Sequence, residues 1–323
     1  MAYATGSIID AWDYNLLTWG GNTTNTYTST PSNLAWVWGV GNAAVGYGQD
    51  ASAMTTVSVG GTVTATQWST FVQRLNLTLG HQSGAAARLA SGSNIGIVAG
   101  ATIQAFANVA TAVGTVNTNA ALFAAQGSTT TGTNDATNPT AAATSALSYF
   151  RDTNVTFSSA NAARYFFNAG GQINFVCSAT DNAGTTRSQT LRDMINQVGG
   201  LGAFRNTTNT GRTGTGGSIV TNNTSFGYRN LTASAQTVVD NNIGGTYSAH
   251  DVTLQLFTNS LDTTNGARGA SVVFRLAMSA PADDAFGGAI NLTVNVRADV
   301  VFPSTTYLSS SAWGTPTITF DSA

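Results

Sequence analysis

Apolar and polar residues alternate most cleanly near the end of the chain, where Ile290, Leu292, Val294 and Val296 take turns with Asn291, Thr293, Asn295 and Arg297. A period of two sets the first group on one face of a strand and the second on the other, one face buried and one wet. Val252, Leu254 and Leu256 alternate with Thr253 and Gln255, and Val272, Phe274, Leu276 and Met278 share a face opposite Arg275. Ile173, Phe175 and Cys177 repeat the pattern after Gly170-Gly171, and Thr317 to Phe320 follows Pro316 as a last short strand. Asn154 to Ser158 and Ala163 to Asn168 read as further short strands.

Other stretches carry the helical period. Thr64-Ala-Thr-Gln67 is a capping box, and Trp68, Phe71, Val72, Leu75 and Leu79 then form one stripe that Gly80 is expected to end. Leu191, Met194, Ile195 and Val198 lie on one face of a helix over Ser188 to Val198, stopped by Gly199-Gly200. Ser7 is placed to cap a short helix whose apolar face is Ile8, Ile9, Trp12 and Leu16. Phe106, Val109, Val113, Val116, Ala120 and Phe123 recur at alternating three- and four-residue spacing. This seam is too short for a coiled coil of three or more heptads, which favours one amphipathic helix against its own domain over an oligomer-forming seam. Gly20 to Asn33 and Gly127 to Thr140 read as loops.

These elements predict an α+β, β-rich chain, with a few amphipathic helices in the N-terminal half and an antiparallel β-sandwich-like C-terminal part. Three regions follow: a Trp-rich 1–90, an uncharged Ala/Thr/Gly-rich helical or linker region at 91–150, and a β-rich 151–323. Five of the six tryptophans lie in the first, and Asp135 is the only charge between Arg88 and Arg151.

Composition changes what such a fold can do. Only 8% of the 323 residues are charged; every basic residue is Arg, every acidic one Asp, and Lys and Glu are absent. That excludes a Schiff-base or Walker A lysine, a zincin motif and a Glu-Glu glycosidase pair. Two His, His81 and His250, and a single Cys, Cys177, do not make a Cys/His zinc site. A net charge of −2 argues against nucleic acid. The N-terminal residues carry no signal-peptide pattern, and Gln104, Asn108, Asn117 and Asn119 interrupt the most apolar stretch, Ile95 to Ala125, so no membrane span is expected.

Candidate chemistry is correspondingly thin. Asp283-Asp284 could bind Ca²⁺ but reads first as a solvated turn, and so does Asp181-Asn182-Ala183-Gly184. Gly211 to Ser218 resembles a phosphate loop in composition only, since no Lys and no helical pattern accompany it. His81 stands past the expected helix end, where a charged imidazole would favour the helix dipole. His250 precedes Asp251, yet no Gly-x-Ser-x-Gly elbow exists, so both His read as surface or packing residues. Cys177 reads as an inert buried thiol. The eight Asn-x-Ser/Thr triplets, from Asn22 to Asn291, are about what chance yields at this content of Asn, Ser and Thr. No catalytic, cofactor-binding or metal-ligating residue is assigned.

Several stretches carry a resemblance. Tyr47-Gly48-Gln49, Val63-Thr64-Ala65-Thr66-Gln67-Trp68 and Gly80-His81-Gln82 resemble the start of virion structural proteins of tailed phages of cyanobacteria and marine bacteria. Ala163-Arg164-Tyr165-Phe166-Phe167-Asn168-Ala169-Gly170-Gly171-Gln172-Ile173 is similar to a signature of the same proteins, and Trp313-Gly314-Thr315-Pro316 fits. The resemblance implies a non-enzymatic virion subunit, tail-associated as an appendage, fibre or baseplate-proximal protein. Its Trp-rich N-terminal part would dock it, its partners would be other virion proteins and copies of itself, and a trimer is the first expectation. One alternative is a capsid decoration or cement protein. Another is a host-facing carbohydrate-binding or -degrading module, with Trp36, Trp38 and Trp313 as stacking platforms and an Asp pair, Asp283 included, as acid and base.

Overall fold

A computed structural model describes residues 9–19, 33–39, 46, 54–89, 106–205, 215, 217–219, 227–242, 249–282 and 288–322. The chain forms two compact units. Unit 1 comprises Met1–Gly127, Arg164–Gly170 and Pro303–Trp313; unit 2 comprises Ser128–Ala163, Gly171–Phe302 and Gly314–Ala323. The fold is α+β with a β-rich character. Among the described residues no helix is long and apolar enough to cross a membrane.

Unit 1 is helical. In α1 (Ala11–Trp19) the Asp10 carboxylate accepts the Trp12 N–H at 2.8 Å, so Asp10 caps the helix; Ser7 and Ile8 lie outside the described residues. The expected apolar face is kept only at Ile9, which is buried. Trp12 is 56% and Leu16 37% exposed, while Tyr14, Leu17 and Trp19 are buried. Asn15 explains the rotation: its amide donates to the Val57 carbonyl at 2.8 Å and accepts the Val57 N–H at 3.0 Å, which turns the Asn15 face inward. A short helix, α2 (Ala35–Trp38), follows.

In α3 (Ala65–Ser83) the capping box is formed in both directions, and Trp68, Phe71, Val72, Leu75 and Leu79 are buried as their spacing predicts. Gly80 does not end the helix. The helix runs on to Ser83 and closes at Gly84, whose φ is 85°. The Tyr307 ring would lie 2.8 Å from a Cβ at position 80, so that glycine serves close packing rather than termination. In α4 (Phe106–Thr118) the buried Val109, Val113 and Val116 face the unit's own interior, and Gln82 of α3 donates to the Val116 carbonyl at 2.8 Å. The amphipathic reading of this segment therefore holds.

The division between units falls within α5 (Ala160–Asn168), a segment whose second half reads as a strand in sequence. Ser159 caps it, its hydroxyl accepting the Ala162 N–H at 3.0 Å. The buried Ala162, Ala163, Phe166 and Phe167 sit at positions i, i+1, i+4 and i+5, a helical spacing that the β-prone Phe-Phe pair obscures.

Unit 2 contains two six-stranded antiparallel sheets. The first runs β1 (Gln126–Thr130), β11 (Ile290–Pro303), β5 (Gln172–Asp181), β6 (Gly200–Ala203), and β2 (Asp135–Thr137) and β3 (Thr140–Ala141) also pair with β11. The expected loop over Gly127 to Thr140 is thus largely strand. The side chains of β1 are exposed and those of β2 and β3 are at most half-buried, so no apolar alternation marks them. Gly132 lets the backbone pass the Ala298 carbonyl, where any Cβ would collide. The β5–β11 register opposes Phe175 to Ala298, Cys177 to Val296 and Ala179 to Val294 on the buried face.

The second sheet runs β12 (Thr317–Ser322), β4 (Leu147–Thr156), β10 (Ser271–Ala280), β9 (Asp251–Phe257), β8 (Gln236–Asn242), β7 (Ser218–Ile219). Phe175 of β5 and Phe274 of β10 stack with centroids 5.4 Å apart, so the two apolar faces meet as in a sandwich. Helix α6 (Thr186–Val198) is capped by Thr185 and ends at Gly199, with φ of 72°. Its Asn196 bonds both backbone groups of Ala179, at 2.9 and 3.0 Å, and Asn241 of β8 donates to its Met194 carbonyl at 3.0 Å.

One guanidinium organises the loops. Arg187, 1% exposed, donates to the carbonyls of Ala142, Ala143, Ser145, Pro281 and Gly288. A guanidinium carries five N–H donors in a fixed fork, and here it satisfies carbonyls from three separate segments.

Candidate functional site

The face of the second sheet that carries Arg275 holds an open groove of about 440 Å³. Strand register builds its floor in rows. Gln255 of β9 stands between Thr237 of β8 and Arg275 of β10, and Arg275 opposes Asp152 of β4. In the next row Thr253 stands between Asp240 and Ala277, and Ala277 opposes Phe150. Beyond it Asp251 opposes Ser279, which opposes Ser148. Small residues in the middle leave the depression. A second hollow of about 370 Å³ shares Ser148 and Tyr149 with it and adds Thr137, Asn138 and Thr140.

Arg275 closes one end. It meets Asp152 through two bonds of 2.7 Å, and its guanidinium lies 4.1 Å from the Phe150 ring and 5.2 Å from that of Phe257. The hydrogen bonds to Asp152 raise its pKa, so it is a fixed, permanently charged wall. Two further ties join the sheets beside the groove, Arg151 to Asp135 and Tyr149 to Thr137.

Asp240 and Asp251 stand at the other end. Burial, a hydrogen bond to Asp240 and the charge of Asp240 raise Asp251 to about 6. Below about pH 6 Asp251 therefore keeps its proton toward Asp240, because two ionised carboxylates that close repel. They are closer than the roughly 5 Å that a glycosidase leaves between its carboxyls for the reacting sugar carbon. What the groove presents is therefore a hydrogen-bonding strip of hydroxyls, an amide and a carboxyl pair, flanked by the Phe150 ring. Such a lining suits polyhydroxylated ligands.

The residues singled out in sequence lie elsewhere. His81 is inside α3, buried, with Nε2 3.1 Å from the Ala169 carbonyl; burial pulls it down to about 4, against the effect of that hydrogen bond. It is neutral at pH 7 and is no cation at a helix end. His250 is buried at the start of β9. Cys177 is buried with its thiol pushed up to about 12 by desolvation, and Sγ lies 3.3 Å from the Gly199 carbonyl, as expected of an inert thiol. Asp181 forms a turn, accepting the N–H groups of Ala183 and Gly184. Asp283-Asp284 and most of Gly211 to Ser218 lie outside the described residues. Trp38 and Trp313 are 2% and 1% exposed, so they are packing residues and not stacking platforms; Trp36 is half-buried. Asn76 and Asn154 are buried, so those two triplets are closed to modification.

The groove residues escape single-strand reading because Asp240 and Asp251 meet only through the β8–β9 register. The available signal was Gly244-Gly245 between two apolar runs, a hairpin mark that pairs those strands. Among the described residues no cluster of three or more His, Cys, Asp or Glu side chains could hold a metal ion. Compared with models of known protein families, with curated proteins and with solved structures, the chain matches none of them.

Proposed function

We propose that this chain is a non-enzymatic structural subunit of a phage virion, tail-associated, that works by self-assembly and by docking to other virion proteins. The observation that carries the reading is where the few charges go. Arg275, Arg151, Arg192 and Arg297 each sit on an Asp, Arg187 is absorbed by backbone carbonyls, and Arg74 and Arg88 lie over the Trp38 and Tyr307 rings. With no Lys or Glu, little charge is left over, and the surface is one of Thr, Asn, Ser and Gly. Lys and Glu are depleted at protein interfaces and lose much side-chain entropy when ordered there. A surface without them suits contact with other subunits. Trp12 and Leu16, exposed on α1, support docking through the N-terminal part.

Two measurements test this. Sedimentation of the purified full chain is expected to give a closed oligomer, a trimer first, and mass spectrometry of purified particles is expected to detect it at tens of copies or fewer. A monomer at high concentration, absent from particles, overturns the reading. Hundreds of copies would move it to the capsid as a decoration protein. The sheet groove favours a second, compatible role in glycan binding on the host-facing side. Binding on a glycan array that disappears in Gln255→Ala would support it, and an array without signal would remove it.

A further inference from the structure

A sheet edge presents unpaired backbone N–H and C=O groups, and proteins guard such edges with short strands, Lys, Pro, bulges or inward charges. Most edges in unit 2 are guarded by brevity or polarity. β6 is four residues long and buried throughout, β2, β3 and β7 have two or three residues, and β1 carries no apolar side chain. β12 is different. It pairs with β4 from Thr317 to Ser322 without a break in register, and among the described residues it has no second strand partner. It contains no Pro and no basic residue, and its one charged side chain, Asp321, accepts the Asn154 amide of the neighbouring β4 at 2.7 Å.

The two faces of β12 are unlike. Ile318 and Phe320 oppose Val155 and Thr153, both fully buried, so they point into the sandwich; yet each is only half-buried. Thr317, Thr319 and Asp321 take the other face and are exposed. The Arg151 guanidinium, tied to Asp135 of β2, lies 5.8 Å from the Phe320 ring centroid. Val294 to Val296 of β11 pair with β5 on one side and with β2 on the other, so β2 and β12 lie together at one flank of the sandwich. Ile318 and Phe320 stop there half-covered, where a next strand would cover them.

We propose that β12 pairs antiparallel with β12 of a second copy of this chain, across a two-fold axis at Thr319, so that the sheet continues from one subunit into the next. The proposal rests on the self-assembly part of the reading above and names its surface; it does not rest on membership of a virion. The strand's own sequence selects a second copy. An axis normal to the sheet keeps each face on its own side, so opposed residues must share a face. Centred on Thr319, Ile318 of each copy meets Phe320 of the other, Thr319 meets Thr319, and Thr317 meets Asp321. Both apolar residues gain an apolar partner, and no like charges are opposed. Centred on Phe320 instead, Ile318 would face Ser322. Such an isologous pair uses up the edge, so it joins single chains into a dimer or closed trimers into a hexamer and does not grow into a fibre. A six-residue edge lies at the low end of interface size, so the pair is weak in dilute solution and effective where copies are held close.

The test is sedimentation of the full chain over a concentration series, with hydrogen exchange read at the β12 amides. A reversible doubling of mass, with β12 protection that rises with concentration, is the expected result. Thr319→Lys and Thr319→Glu each set two like charges face to face at the axis and are expected to weaken the doubling at least about fivefold, and an equimolar mixture, with Lys facing Glu, is expected to restore it. Thr319 is exposed, so both variants are expected to melt as the parent does. If either does not fold, Thr317→Arg, which would face Asp321 of the second copy, is expected to tighten the pair, and a pair left unchanged or weakened by it overturns the proposal. Assembly that both Thr319 variants leave as it was overturns the β12 pairing and leaves self-assembly standing on another surface. β12 amides protected equally at every concentration in a monomer mean that a segment of the same chain covers the edge, and that also overturns it. A monomer with unprotected β12 overturns both the pairing and self-assembly, while mass spectrometry of particles decides virion membership separately.

Discussion

Unit 1 holds all six tryptophans, and its distant segments are tied by side-chain amides bonded to backbone: Asn15 to Val57, Gln82 to Val116, Asn168 to Gly46. Unit 2 holds no tryptophan, and to amide ties at Asn196 and Asn241 it adds guanidinium groups: Arg187 on five carbonyls, Arg275 on Asp152, Arg151 on Asp135. Helices satisfy their own backbone, so one amide per crossing suffices. The loops between sheets leave several carbonyls at one place, and only a guanidinium has enough donors to collect them. The units also bury titrating groups of opposite kind. Burial disfavours the charged form in both, which strips the proton from His81 and keeps one on Asp251. Tryptophan fluorescence therefore reports unit 1 and the far-ultraviolet sheet signal reports unit 2.

The largest effect expected is at Arg187. Arg187→Met keeps the apolar stem but orphans five carbonyls, and it should cost unit 2 about 4 kcal/mol. Urea unfolding followed by the sheet signal measures it. A loss below about 1 kcal/mol would mean that water replaces the guanidinium, and the contrast between the units would lose its main support.

His81 comes next. Its folded pKa of about 4 lies below the usual 6.5, so between those values the unfolded chain binds a proton that the folded one refuses. Stability is present above pH 6.5 and is lost as pH falls through about 4, roughly 3 kcal/mol in all. Tryptophan-detected unfolding at pH 7 and pH 4 should show the loss. His81→Gln, which can still donate to the Ala169 carbonyl, should flatten it. An unchanged slope in that variant would assign the acid sensitivity of unit 1 to another group.

Two glycines of unit 1 sharpen what its helices require. Gly114 in α4 has open space around a Cβ, so Gly114→Ala should stabilise by about 1 kcal/mol through helix propensity. Gly80→Ala gains the same propensity but meets the Tyr307 ring, and it should destabilise by about 1 kcal/mol net. If both alanines stabilise, the Tyr307 ring yields freely and Gly80 is not held by packing.

These same positions show what was legible in sequence. The α3 stripe and its capping box, α6 with its glycine stop, and strands β5, β9, β10, β11 and β12 follow from local periodicity alone, because one face of each is buried or, in β12, half-buried. Failures occurred where a distant residue decides. Gly80 looks like a stop until Tyr307 is beside it, α1 is turned by Asn15 reaching Val57, and β1, β2 and β3 exist because β11 offers an edge. The groove is legible only in halves. Thr253, Gln255 and Arg275 are visible as the outward set of their strands, whereas the Asp240–Asp251 contact needs the register across β8 and β9.

The smallest expected effect cuts most sharply between the units. Asp251, with a folded pKa raised to about 6 against an ordinary 3.8, binds a proton in the folded state that the unfolded chain has released. Its contribution is present below pH 3.8 and is lost as pH rises through about 6, the reverse of His81. Asp251 is only half-buried, so solvent screening holds the effect below about 1 kcal/mol. Between pH 6 and pH 4, acidification should thus weaken the tryptophan-reported unit and slightly strengthen the sheet-reported one. Asp251→Asn keeps a donor toward Asp240 and removes the titration, so the sheet signal should become flat with pH while the tryptophan signal keeps its slope. If Asp251→Asn leaves the sheet response as it was, the pH response of unit 2 belongs to another group and Asp240 does not hold a proton on Asp251.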